Sequence, residues 1–120
     1  MNDNETTIRD LREVVRKFVD ERDWQQFHSP KNLSMALAIE AAELMEHFQW
    51  ISSDESRSVG DDADKLTAIG EELADVFCYT LAIVNELNID LSAAMADKMI
   101  KNARKYPAEE YRGRYGPEDE

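Results

Sequence analysis

The chain has 120 residues, enough for one domain with a real core and too few for two. Its 26 acidic and 14 basic residues leave a net charge of −12, which argues against a nucleic-acid polymer as partner, because a phosphate backbone requires a basic surface. No run of about 18 apolar residues is present to span a bilayer, the start "MNDNETTIRD" is polar and acidic, unlike a secretory or transit peptide, and the lone Cys78 excludes an internal disulfide and suits a reducing cytoplasm.

Glycine and proline are scarce and no stretch alternates as a strand does, so the pattern predicts an all-α chain. The first helix is expected over about 6–22, where Ile8, Leu11, Val15 and Phe18 recur on one face. "RDWQQFHSPKN" interrupts it, and Pro30 is suited to starting the second helix, about 31–51. "SSDESRSVGDDAD" reads as a polar, disordered loop. The third helix, about 62–88, carries Leu66, Ile69, Leu73, Val76, Thr80, Leu81, Val84 and Leu87; Cys78, in "LADVFCYTLAIV", is expected as a small buried hydrophobe. Asp90 is placed to cap a fourth helix, about 91–106, which Pro107 ends. The expected architecture is a four-helix bundle over 1–107 with a polar, flexible tail over 108–120. The two central helices are apolar around more of their circumference than a monomer needs, which predicts a second subunit.

Charge stands on those apolar helices in a pattern. At about 100° per residue, Ala36, Glu40, Glu43 and His47 share one narrow stripe, flanked by Leu33, Leu44 and Ile51 on one side and Ile39 and Trp50 on the other. The third helix repeats the spacing with Glu72 and Asp75, followed one turn on by Tyr79. Side chains at i and i+3 lie about 5–6 Å apart at Cβ, close enough to share an ion. Two such pairs on facing antiparallel helices form a four-carboxylate cluster between the central helices, an oxygen-only set suited to Mg²⁺ or Mn²⁺ rather than Zn²⁺. Glu40 and Glu72 as rim residues paired with Arg or Lys is the plainer alternative. A di-iron carboxylate bundle is disfavoured, because it needs Glu-x-x-His pairs on two helices, whereas Leu44 stands three before His47 and the third helix has no histidine.

The fourth helix supplies the opposite charge. "DKMIKNARKY" sets Lys98, Lys101, Arg104 and Lys105 against Asp97, and Lys98, Asn102 and Lys105 share a face. Beside a metal site this face is suited to clamping phosphates, although a merely solvated basic face has the same spacing. Trp24, His28 and Trp50 stand near helix ends, where the tryptophans can cap a core or stack on a planar base.

At "ERDWQQFHSPKNL", "EAAELMEHFQW", "EELADVFCY" and "KMIKNARKYP" the chain resembles the MazG-like all-α nucleoside triphosphate pyrophosphohydrolases, specifically the dCTP pyrophosphatase type, over roughly residues 8–107. The resemblance implies Mg²⁺-dependent hydrolysis of a dCTP-like or modified nucleoside triphosphate to monophosphate and pyrophosphate, by a cytoplasmic homodimer or homotetramer that clears surplus or non-canonical nucleotides. It implies that Glu40, Glu43, Glu72 and Asp75 hold metal, with Glu43 orienting or deprotonating the water. It places Lys98, Asn102, Tyr79 and Lys105 on the phosphates, and Trp24, His28 and Trp50 around the base. A non-catalytic nucleotide- or metal-sensing module on the same helices is the alternative; a sensor, however, could dispense with part of the acid set.

Overall fold

The structure, a computed structural model, describes residues 1–114 and is all-helical over them. The four expected long helices are present as α1 (Ile8–Glu21), α2 (Pro30–Glu46), α4 (Ala63–Leu87) and α5 (Leu91–Lys105); two single-turn helices, α3 (Ser53–Ser56) and α6 (Ala108–Tyr111), accompany them. Each long helix starts where a side chain can accept from the exposed first-turn N–H groups. Thr7 and Asp10 form a reciprocal capping box at α1, Ser29 caps α2 with Pro30 in its first turn, Asp62 caps α4, and Asp90 caps α5 as expected. Asn88 ends α4 in the left-handed region at φ 52°, a conformation that asparagine tolerates better than most residues.

The chain divides into two units, Met1–Asn88 and a second that begins at Ile89. In the first, α4 is the central element: α2, α1 and the 3-10 turn Val59–Asp61 all pack on it. Val19 of α1, Leu33 of α2, and Ile69, Leu81, Ala82 and Val84 of α4 form the buried core. Leu33 and Leu81 are each 2% exposed, so truncating either to alanine removes about 2–5 kcal/mol of stability. Asn85 adds a polar tie between α1 and α4: its Oδ1 accepts from Arg12 Nε at 3.1 Å and Arg16 Nη2 at 3.3 Å, and its Nδ2 donates to the Arg12 carbonyl at 3.1 Å.

Two expectations are corrected, on the polar segment after α2 and on Cys78. The segment read as a disordered loop contains α3, whose capping box pairs Ser52 with Glu55, and the 3-10 turn; these local bonds order a polar stretch that no hydrophobic period marks. Cys78 is exposed rather than buried, because it lines a cavity on the flank of α4. The tail begins with helix α6, where Tyr111 packs edge-on against Tyr106 at 5.3 Å between ring centroids; its last part, 115–120, lies outside the described residues. The apolar excess of the central helices is real: Met35 and Ile39 on α2, and Leu66, Leu73 and Phe77 on α4, are all exposed. None of the described helices is long and apolar enough to cross a membrane.

Candidate active site

The α2–α4 contact brings the carboxylates together. One carboxylate oxygen from each of Glu40, Glu43 and Glu72 lies within 4.8 Å of the other two. All three side chains are half-buried, and Glu40 Oε2 and Glu72 Oε2 are shielded from solvent with no hydrogen-bond partner. A carboxylate oxygen in that condition has lost its water and gained nothing in exchange. The electrostatic consequence is direct. Hydrogen bonding to the Glu43 carboxylate, then burial, then the charges of Glu43 and Asp75 push Glu40 up to about 7. Burial and the Glu43 charge raise Glu72 as well. A divalent cation would fill the missing valences of both orphaned oxygens and remove the repulsion, and an all-oxygen donor set is the chemistry of a hard ion. The residues present therefore fit such a metal.

Asp75 is one turn beyond Glu72 on α4 and lies outside the group of three, although its charge acts on Glu40, Glu72 and Tyr79. Tyr79 is half-buried, and its hydroxyl is raised by burial and then by the charges of Glu40 and Asp75. His47, on the same sequence stripe as the acids, caps the C-terminus of α2 instead of joining them.

A cavity of about 410 Å³ opens beside Asp75 and Tyr79, between α1 and α4, within the usual range for small-molecule sites. Trp24 and His28 line it together, their ring centroids 6.2 Å apart. A tight reversal after α1 puts them there. Asp23 takes a left-handed φ of 52°, and the Trp24 N–H bonds back to the Val19 carbonyl at 3.1 Å, closing a Schellman-type cap that turns the indole onto α1. Phe18 meets Trp24 edge-on at 5.7 Å, and the Arg22 guanidinium lies 3.7 Å above the Phe18 ring centroid. Phe18, Val14 and Cys78 are cavity walls that sequence reasoning missed; Phe18 carries the helical period of a core residue, and only its neighbour in "RDWQQFH" hinted otherwise.

Trp50 does not join this cavity. It stands past the end of α2 at 87% exposure, neither capping a core nor touching Trp24 or His28. Lys98, Asn102 and Lys105 belong to the second unit and are carried by α5. Lys98 is exposed and has no ion pair among the described residues, whereas Lys101 pairs with Asp97 at 3.1 Å and Lys105 lies 5.4 Å from the Tyr106 ring centroid.

Comparison with known proteins places this arrangement. Residues 35–115, which include all four acids, match the model of the MazG-like family. The chain belongs to the MazG-like family. It is 42% identical over 104 residues to a human dCTP pyrophosphatase 1, covering 87% of this chain and 61% of that protein. To the bovine dCTP pyrophosphatase 1 it is 39% identical, covering 92% of this chain and 65% of the relative, so the chain spans less than two thirds of the length of the curated relatives it matches. The chain also superposes on the crystal structure of a pyrophosphatase from Archaeoglobus fulgidus with a TM-score of 0.77 at 38% identity, covering 89% of this chain and 98% of that one.

Proposed function

We propose that this chain is a Mg²⁺-dependent nucleoside triphosphate pyrophosphohydrolase that takes a dCTP-like nucleotide to its monophosphate and pyrophosphate. The observation that carries this reading is the close carboxylate trio with two solvent-starved oxygens, together with a cavity of about 410 Å³ that is walled by Trp24, His28, Asp75 and Tyr79. The dCTP pyrophosphatases among its relatives support the choice of substrate.

In this reading Glu40, Glu43, Glu72 and Asp75 hold Mg²⁺, or Mn²⁺ in its place. The bound cation supplies charge neutralisation of the triphosphate and of the leaving pyrophosphate, and acidifies water near the reacting phosphorus. Glu43 orients the attacking water and takes its proton, since its orphaned neighbours Glu40 and Glu72 are the ones lacking partners. Tyr79, with its hydroxyl kept protonated by its surroundings, donates to a phosphate or sugar oxygen at the junction between acids and cavity. Lys98, Asn102 and Lys105 clamp the phosphates from α5. Trp24 stacks on the base and His28 meets it in the cavity, while Trp50 reaches a base only in an assembly. The exposed apolar residues Ile39, Leu73 and Phe77 support a homodimer or homotetramer, and a cytoplasmic place in nucleotide-pool control suits the lone thiol.

Pyrophosphate release from a panel of nucleoside triphosphates, with Mg²⁺ and with excess chelator, tests the proposal. Release from dCTP that needs the metal is expected; full turnover in chelator would overturn it.

A further inference from the structure

The aromatic cavity lies between two helices that meet over little apolar surface. Phe18 and Val19 of α1 form one wall, Asp75, Tyr79 and Ala82 of α4 the other, and Val19 is the single fully buried residue of α1. Apolar contact is non-directional, so it does not by itself fix where α1 sits along α4. Polar contact does. Asn85, part-buried and one turn beyond Ala82, accepts from Arg12 Nε and Arg16 Nη2 and donates to the Arg12 main-chain carbonyl at 3.1 Å. That last bond grips the backbone of α1 rather than a side chain that can swing, using the second lone pair of a helix carbonyl. Glu13 holds the other arm of the Arg16 guanidinium. The tie adjoins the cavity: Arg16 and Asn85 line a smaller cavity of about 160 Å³, which shares Val15, Val19, His28 and Ala82 with the aromatic one.

We propose that Asn85 is a positioning residue for nucleotide binding: by holding Arg12 and Arg16 it sets the spacing and register of α1 against α4, and with them the width of the aromatic cavity. The inference rests on the reading of that cavity as the base pocket. Asn85 acts at one remove, because its amide oxygen and nitrogen are both engaged by α1. Trp24 moves with α1, since its N–H is bonded to the Val19 carbonyl at 3.1 Å. Attraction between a base and its walls is steep in distance: a gap of about 0.5–1 Å forfeits a quarter to a half of it. A small shift of α1 therefore weakens base binding. The carboxylate trio is carried by α2 and α4 and is not reached by the tie. Loss of the tie should thus act on nucleotide binding and leave the metal and the chemical step alone.

The test is steady-state kinetics on dCTP with the full chain and Mg²⁺. Asn85→Leu keeps the side-chain bulk and removes all three bonds. Its KM should rise by roughly fivefold or more, the scale of one lost hydrogen bond, with kcat and the Mg²⁺ concentration for half-maximal rate unchanged. Asn85→Gln carries the same amide on a longer stem, with room in the smaller cavity, and should restore most of the KM. Arg12→Met removes one bond at a residue that lines neither cavity, and should raise KM in the same direction by less. Thr7→Ala is the control: it removes the N-cap of α1 and lowers the melting temperature without touching the tie, so its KM should equal that of wild type. If Asn85→Leu does not fold, Arg12→Met decides. KM unmoved in the tie variants, or a rise that Thr7→Ala reproduces, would overturn the positioning role while hydrolysis itself stands. If wild type does not hydrolyse dCTP, the proposed function fails, and this inference with it.

Discussion

Replacing Trp24 with alanine separates a base pocket from a core. The indole is 41% exposed and edge-packed on Phe18 at 5.7 Å. Its loss therefore removes one aromatic pair, about 0.5–1.5 kcal/mol beyond area, well short of the 3–5 kcal/mol typical of a fully buried tryptophan. The melting temperature should fall by only a few degrees. Stacking on a base is worth about 1–3 kcal/mol, which converts to a KM rise of roughly 5- to 150-fold. Since in this reading the ring touches the base and not the reacting phosphorus, kcat should change less. Steady-state kinetics on dCTP, with a thermal melt of the same preparation, measures both. Intrinsic fluorescence should also respond when a non-hydrolysable triphosphate analogue is added to wild type. A large drop in melting temperature with KM unmoved and fluorescence silent would refute the base-pocket argument and make Trp24 a packing residue.

The acids, the titration and α5 each give a further expectation. Glu43→Gln and Asp75→Asn should each lower turnover by roughly a hundredfold or more, as lost electrostatic stabilisation does, while circular dichroism shows the helices intact. Glu40, raised from its ordinary 4.5 to about 7 in the folded chain, binds more proton when folded than when unfolded across that window. Its contribution to stability is thus fully present below about 4.5 and is lost as pH rises through about 7. Melts of metal-free protein should show this decline, Glu40→Gln should flatten it, and saturating Mg²⁺ should offset it by binding the folded state; a metal-free melting temperature that does not fall over this range would contradict it. Lys98→Ala and Asn102→Ala should raise KM for every triphosphate alike, because phosphates carry no base identity, and a change confined to the ranking of bases would remove α5 from the phosphate site.

Helix positions were legible in the sequence because caps and periods agreed. Pro30, Asp90 and the apolar repeat of α4 placed three boundaries to within one residue or so. The closeness of Glu40, Glu43 and Glu72 was legible for the same reason, since i, i+3 spacing sets side chains on one face, whereas Asp75 falls outside their group. What failed depended on direction. The alternation of apolar residues around Cys78 says that α4 is surrounded, but not that this flank faces a cavity. Trp24 and Trp50 look alike as helix-end tryptophans, yet only the left-handed Asp23 folds Trp24 back against Phe18. A four-residue helix such as α3 is too short to show a period, although its Ser52–Glu55 capping box was present to be read.

The same helix sets both ends of the site. Glu72, Asp75, Tyr79, Ala82 and Glu86 all lie on α4, spaced so that at about 100° per residue they sweep less than a quarter-turn of its surface. Acids, hydroxyl and cavity wall therefore follow one another along a rigid rod, about 15 Å from Glu72 to Ala82 at 1.5 Å per residue. Leu66, Leu73 and Phe77 occupy the other side, and all three are exposed. A helix with candidate ligand groups on one side and an uncovered apolar stripe on the other is held in place within its unit by α1, α2 and the Val59–Asp61 turn. Covering that stripe with a second copy would stiffen the rod at the turns that carry Glu72 and Asp75, so assembly and metal binding would favour each other even though the stripe touches neither ion nor nucleotide.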